Sequence, residues 1–187
     1  CTAKAKSFYE TFVNGLVLPT SAVAAEVTKL VENSYRDVNI AFANELSILA
    51  DRLGIDPWEI IELANRHPRV NILSPGPGVG GHCISVDPWF LVHTDPEQTP
   101  LIRMAREVND RKPNYIVDHV VQLAREFAAP KIGCLGLTYK SDVDDLRESP
   151  SLDIVRALHQ KDVGEVLACD PQVSSKNYTE FVLHDLA

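Results

Sequence analysis

Ser74 to Pro88 reads SPGPGVGGHCISVDP, with four glycines and three prolines around one thiol, Cys83, His82 beside it and Asp87 four residues beyond. A cysteine becomes a nucleophile once it has thiolate character, which nearby cations or aimed backbone N–H groups supply. Glycines bring bare backbone close to a small anionic or polarised group, so Gly80 and Gly81 could wrap a ligand presented to Cys83. A cation is available upstream: Lys29 and Asn33 are four apart in a helical pattern and aim an amine and an amide at one place. Each residue also has a plainer reading. Lys29 and Asn33 fit a solvated helix face, Cys83 a buried structural thiol and Asp87 a loop cap, and spacing alone leaves both sets open. Adjacent residues of an extended loop point apart, which argues against a His82–Cys83 dyad. His82, Cys83, Asp87 and His93 match no common ligand spacing, and no metal is expected.

The run GPGVGG satisfies G-x-G-x-x-G at Gly76, Gly78 and Gly81, but it does not leave a strand or open a helix. Pro77 also removes an N–H donor, so the pattern lacks the geometry that holds a pyrophosphate. IGCLGL, Ile132 to Leu137, is better placed for a nucleotide because it ends a predicted strand, and Asp170 ends the next one where a ribose-binding acid often sits. Its glycine pattern is incomplete, and a merely tight turn is the competing reading. Tyr139, Lys140, Asp145, Arg147 and Glu148 follow, where Lys and Arg could meet phosphates or form a surface ion-pair loop.

The elements that must position these residues are legible in outline. Apolar residues at Val27, Leu30, Val31, Val38, Ala41, Leu46, Leu49 and Leu53, with Ser34 in the series, predict one helix from Ala22 to Leu53, ended by Gly54. Such a length suits the spine of a dimer interface. Asp56-Pro57 starts a second helix that closes near His67-Pro68. After the glycine-rich loop and PWFLV, two helices are expected at Thr99–Asn109 and Asn114–Phe127. At Lys131 the composition changes: KIGCLGLTY reads as a strand, SPSLDIVRALHQ as a capped amphipathic helix and EVLACDP as a second strand, a βαβ unit. The C-terminal FVLHDLA is strand-like. The fold class is α/β overall, with residues 1–110 mostly helical and residues 111–187 built on the βαβ unit.

A net charge of −8 over 187 residues argues against a nucleic-acid or anionic-membrane partner, since both need a basic footprint. No apolar run suits a transmembrane helix, and a cytoplasmic location is expected. The four cysteines form no CxxC pair, so neither a zinc ribbon nor a disulfide framework is indicated. Both ends look cut, and the chain reads as a fragment.

Three strings in order, AAEVTKLVENSYRDVNIAFANELSILADRLGID, ANRHPRVNILSPGPGVGGHCISVDPWFLV and GLTYKSDVDDLRESPSLDI, resemble the UDP-glucose/GDP-mannose dehydrogenase family across essentially the whole chain. The resemblance implies a central helical dimerisation domain over 1–110 and a partial Rossmann-like UDP-sugar domain over 111–187. An N-terminal NAD-binding domain would precede them, so the fragment alone would lack turnover. Carried over by motif, Cys83 matches the nucleophile of G-G-x-C, with Gly80 and Gly81 against the substrate, and Asp87 matches the aspartate that assists hydrolysis. Lys29 and Asn33 match the pair that steadies charge on oxygen. Tyr139 and Lys140 match an aromatic-Lys pair at the sugar nucleotide, Arg147 an arginine reaching toward NAD, and Arg69 one that approaches substrate across the dimer.

The implied reaction is a four-electron oxidation of a sugar C6 alcohol to the acid, with NAD as cofactor and a thiohemiacetal and thioester on Cys83. Val86 stands where the glucose-specific branch carries lysine, and His82 and the PWF tail look like the N-acetylhexosamine branch. UDP-N-acetyl-D-mannosamine is the favoured substrate, with UDP-N-acetylglucosamine or UDP-glucose as competitors and homodimerisation through the long helix implied. The alternative class is a non-catalytic dimerisation and nucleotide-binding module.

Overall fold

The computed structural model describes residues 1–173, 178 and 180–184. Six helices and two strands follow one another as α1 (Thr2–Tyr9), α2 (Ala22–Leu53), α3 (Pro57–Ala64), α4 (Asp87–Thr94), α5 (Pro100–Ala124), β1 (Lys131–Leu135), α6 (Pro150–Gln160) and β2 (Glu165–Cys169). The fold is α/β and helix-rich, with one small parallel sheet.

Local signals set most boundaries. Ser21 caps α2 by accepting the Ala24 N–H, and Gly54 ends it in the left-handed region at φ 68°, a conformation glycine adopts without steric cost. Asp56 caps α3 by accepting the Trp58 N–H, and Pro57 occupies the first turn, where its missing donor is harmless. That helix stops at Ala64 rather than near His67, because Asn65 turns its amide onto Ile72 of the returning chain.

One expectation is corrected. The helices placed at Thr99–Asn109 and Asn114–Phe127 are one helix, α5, which continues through Pro113. Proline withholds one ladder hydrogen bond and crowds the preceding turn, but α5 packs on α2, α4 and α6 along its length, and that burial outweighs the local penalty. The apolar series on α2 divides between two faces. Asn33, Ser34, Asp37, Ala41, Ala43, Asn44 and Ala50 are buried, whereas Val27, Val31, Leu49 and Leu53 remain exposed.

β1 and β2 pair in parallel register from Lys131 opposite Glu165 to Leu135 opposite Cys169, with α6 as the crossover. Val117 of α5 meets Ile154 and Leu158 of α6, with Ile132 and Val166 packed against them. Leu137, Val155 and Ala168 form an adjoining cluster. Leu183 makes a parallel bridge to Ala168, the described part of the strand-like terminus, and residues 185–187 lie outside the described residues. The expected division at 110/111 falls within α5. Arg106, Asn109 and Lys112 there bond to α2, whereas Val117 and Val120 pack in the βαβ core.

Ser149 joins the two ends of the crossover: its hydroxyl donates to the Leu137 carbonyl at 2.6 Å and accepts the Leu152 N–H that opens α6. Replacing Ser149 by alanine is expected to cost about 1–2 kcal/mol of stability, read as a lowered denaturant midpoint at unchanged slope.

Candidate active site

The site is built where α2, α4 and the glycine loop meet. Residues 83–87 form a helical turn that leads into α4: the Cys83 carbonyl accepts the Val86 N–H at 3.1 Å and the Asp87 N–H at 2.8 Å. An i to i+4 bond of this kind puts the Cys83 and Asp87 side chains on the same side of the turn. The turn is anchored below, where the buried Ser85 hydroxyl donates to the Gly81 carbonyl. Cys83 itself is exposed, so the reading of it as a buried structural thiol is set aside.

α2 supplies the other half. Asn33, only 3% exposed, donates from Nδ2 to the Asp87 carboxylate at 2.6 Å. Its Oδ1 accepts from Lys29 Nζ at 3.4 Å. The amide therefore lies between a cation and a carboxylate, each matched to the end of its dipole, and the order Lys29, Asn33, Asp87 is fixed by that polarity. A solvated helix face describes the exposed Lys29 but not Asn33, which is buried and points to a residue 54 positions away. Asp87 is the first residue of α4, where a negative side chain suits the helix dipole.

The glycines have a use that the sequence did not disclose. A Cβ at Gly80 would lie 2.4 Å from the Glu148 carbonyl and 2.8 Å from Tyr139 Cβ, and one at Gly81 would lie 2.7 Å from the Tyr139 ring. At Gly78 it would meet Pro150 and the Asn109 carbonyl, whereas at Gly76 it would only reach the Gly78 carbonyl at 3.9 Å, an ordinary contact. Gly80 and Gly81 thus take the loop flat against the βαβ unit, with Tyr139 filling the place their side chains would need. Beside this contact is a cavity of about 290 Å³ lined by Gly78, Gly80, Gly136, Tyr139, Lys140 and Ser151, at the C-terminal end of β1 and the N-terminus of α6. That end of a parallel strand, next to free helix N–H groups, suits a phosphate-bearing ligand.

Asp170 is not free to take a ribose hydroxyl. Its carboxylate accepts the Leu137 N–H at 2.7 Å, the Thr138 N–H at 3.1 Å and the Gln172 N–H at 2.8 Å. Burial disfavours its charge, yet these backbone donors outweigh burial and hold the carboxyl below its usual range. Asp170 therefore shapes the turn after β1. Lys140 is exposed at the mouth of the cavity, and Arg147 is exposed and bound by Asp145 through Nε at 2.9 Å and Nη2 at 2.6 Å. Arg69 lies in the exposed turn after α3, its N–H on His67 Nδ1 at 3.2 Å, and no bond among the described residues ties it to the Cys83 loop.

A dinucleotide cradle does not fit the residues present: GPGVGG is packed against Tyr139, Glu148 and Pro150 and does not precede a helix directly. Among the described residues no three His, Cys, Asp or Glu side chains are grouped to hold a metal ion.

A buried polar network behind the site escaped the sequence reading. Arg106 of α5 pairs with Asp37 at 2.5 Å and with Asp110, Asn109 donates to Asp37 at 2.8 Å, and Asn44 donates to Asn109 at 2.9 Å. The available signal was the helical spacing of Asn33, Asp37 and Asn44, polar residues on one face of α2, met by Arg106 and Asn109 at i, i+3 on α5.

Residues 23–111 match the family model described as UDP-glucose/GDP-mannose dehydrogenase family, central domain, and residues 133–185 match that family's UDP binding domain. An NDP-N-acetyl-D-galactosaminuronic acid dehydrogenase of Ralstonia solanacearum is 57% identical over 173 residues, 92% of this chain and 41% of that protein. A UDP-N-acetyl-D-mannosamine dehydrogenase of Campylobacter jejuni is 56% identical over 173 residues, 92% of this chain and 42% of that protein. The solved UDP-N-acetyl-mannosamine dehydrogenase from S. aureus superposes with a TM-score of 0.86 at 49% identity, covering 98% of this chain and 43% of its own. The chain thus spans about two fifths of the length of the relatives it matches.

The Arg147 guanidinium holds the Asp145 carboxyl down to about 2. A carboxyl lowered by folding favours the folded state above its ordinary value of about 4, and that contribution fades as pH falls toward the folded value. In Arg147→Ala the Asp145 carboxyl is expected to titrate near its ordinary value, as followed by NMR of the side-chain carbon.

Proposed function

Because this chain belongs to the UDP-glucose/GDP-mannose dehydrogenase family, we propose that it forms the thiol-bearing core of an enzyme that oxidises the C6 alcohol of a UDP-N-acetylhexosamine to the acid. The observation that carries this reading is the line Lys29, Asn33, Asp87 ending beside an exposed Cys83, whose own carbonyl fixes the Asp87 backbone. NAD, the hydride acceptor in this reading, would be held mainly by another part of the complete protein, with Arg147 at its edge. This chain alone is expected to lack turnover.

Within the chain each group has a task. The sulfur of Cys83 adds to the C6 carbon of the aldehyde formed by the first oxidation, making a C–S bond and leaving negative charge on the sugar oxygen. Lys29 and the Asn33 amide steady that charge. Oxidation of the adduct yields a thioester, and Asp87 takes a proton from the water that cleaves it, releasing the acid and restoring the thiol. Tyr139 and Lys140 line the cavity proposed for the sugar nucleotide together with Gly80, Gly81 lies against the Tyr139 ring beside it, and Arg69 is assigned to a second protomer's substrate. An N-acetylated amino sugar or its acid figures in the names of all three relatives, and of the epimers we favour UDP-N-acetyl-D-mannosamine. Exposed Val27, Val31, Phe42, Leu49 and Leu53 on α2 support self-association through that helix. The division into a helical dimerisation unit and a UDP-sugar unit near residue 110 belongs to the same proposal.

In the complete enzyme, Cys83→Ala should abolish formation of two NADH per sugar, and Lys29→Ala or Asn33→Ala should lower kcat by about 10²–10³. Acid formation at the normal rate by the Cys83 variant would refute the covalent role. A panel of UDP-hexosamines, compared by kcat/KM, tests the substrate assignment, which fails if a non-acetylated sugar is preferred.

A further inference from the structure

The chain that enters the Cys83 loop has no strand beside it, yet its backbone groups are bonded. Asn65 accepts the Ile72 N–H at 2.7 Å and donates to the Ile72 carbonyl at 2.9 Å. Asn39 accepts the Leu73 N–H at 2.9 Å and donates to the Asn71 carbonyl at 3.0 Å. Asn44 accepts the Gly76 N–H at 2.8 Å. Three side-chain amides stand where a neighbouring strand would, each offering the donor and acceptor that a peptide group offers.

Asn44 occupies the decisive place. It is fully buried, and its Nδ2 is fixed by Asn109, which donates to Asp37, itself held by Arg106. Its orientation is therefore set on the far side by an ion pair and on the near side by the loop. The other end of the loop, Asp87, is held by Asn33 at 2.6 Å. Asn33 and Asn44 are eleven residues apart on one straight element, which brings them within about 20° of the same face and separates them by about 16 Å. The 76–87 segment is thus gripped at both ends by one helix, with Cys83 between the grips.

We propose that Asn44 is a positioning residue for Cys83: by holding the Gly76 N–H against α2 it fixes where the loop starts, and with Asn33 at the far end it sets the distance over which the thiol-bearing turn is suspended. The inference rests on the reading of Cys83 as nucleophile, and it adds a residue that touches neither substrate nor thiol. Removing a buried acceptor leaves the Gly76 N–H unpaired and the Asn109 amide unsupported, which loosens the entrance to the loop without removing a catalytic group.

The test uses the complete dehydrogenase. In Asn44→Ala, hydrogen exchange of the segment around Gly76 should speed up about ten-fold, as expected for loss of one buried hydrogen bond, with α2 and α5 still protected. Alkylation of Cys83 should change about three-fold or more, and kcat should fall about ten-fold with KM held within about two-fold. If Asn44→Ala does not fold, Asn44→Ser keeps a polar group in the buried site but is too short to reach Gly76, and carries the same test. Faster exchange at Gly76 with unchanged alkylation and kcat overturns the proposal, as does exchange at Gly76 that stays at the wild-type rate. Exchange and alkylation need no turnover, so if the wild-type enzyme oxidised no sugar nucleotide the proposed reaction would fail while these two readouts still decided the role of Asn44.

Discussion

A buried polar group must find a partner, and the rest of this molecule is arranged around that requirement on α2. The helix turns Asn33, Asp37 and Asn44 inward, where leaving any of them unbonded would cost about 1–3 kcal/mol. Each is answered by a group from a distant part of the chain: Asp87 of α4, Arg106 and Asn109 of α5, Gly76 of the loop. These pairings are directional, so they specify relative position more tightly than an aliphatic interface would. A leucine stripe would tolerate a slide of the loop along the helix, but an amide aimed at one N–H does not.

The same logic explains why an irregular, glycine-rich segment can present a thiol at a defined place. Between Gly76 and Asp87 the chain has little regular structure, and its order comes from the two asparagines beneath it and from Tyr139 above. Gly80 and Gly81 are needed for that second contact, since any side chain there would collide with the Glu148 backbone or the Tyr139 ring. The loop is thin because it is clamped between two units. Cys83 sits just past the clamp, on the turn where the chain becomes helical again, and so remains exposed while its backbone is fixed.

Much of this frame was legible in the sequence. The limits of α2, the cap of α3 and the βαβ order followed from Gly54, Asp56-Pro57, Ser149 and the apolar runs, all of them local signals. The proximity of Lys29 and Asn33 followed from helical spacing. What was not legible depended on contacts far apart along the chain. Pro113 argued locally for a break, and only burial of α5 on three neighbours kept the helix whole. The polar inward face of α2 was not legible, because the partners that make Asp37 and Asn44 burial tolerable lie some 65 to 72 residues onward. The use of Gly80 and Gly81 in docking was hidden for the same reason: Tyr139 is nearly sixty positions away. Family resemblance put Asn33 and Asp87 at one site, but the bond between them, which spans 54 residues, was not foreseen.

α5 runs unbroken from the network behind the thiol to the hydrophobic core under the nucleotide-type turn. At 25 residues it is about 37 Å long, a stiff axle shared by both halves. Rocking one half against the other would have to flex that axle, and Pro113, where a ladder bond is already absent, is its point of least resistance. Any opening between the two halves would therefore be the bending of a single rod, not the turning of a hinge between separate bodies.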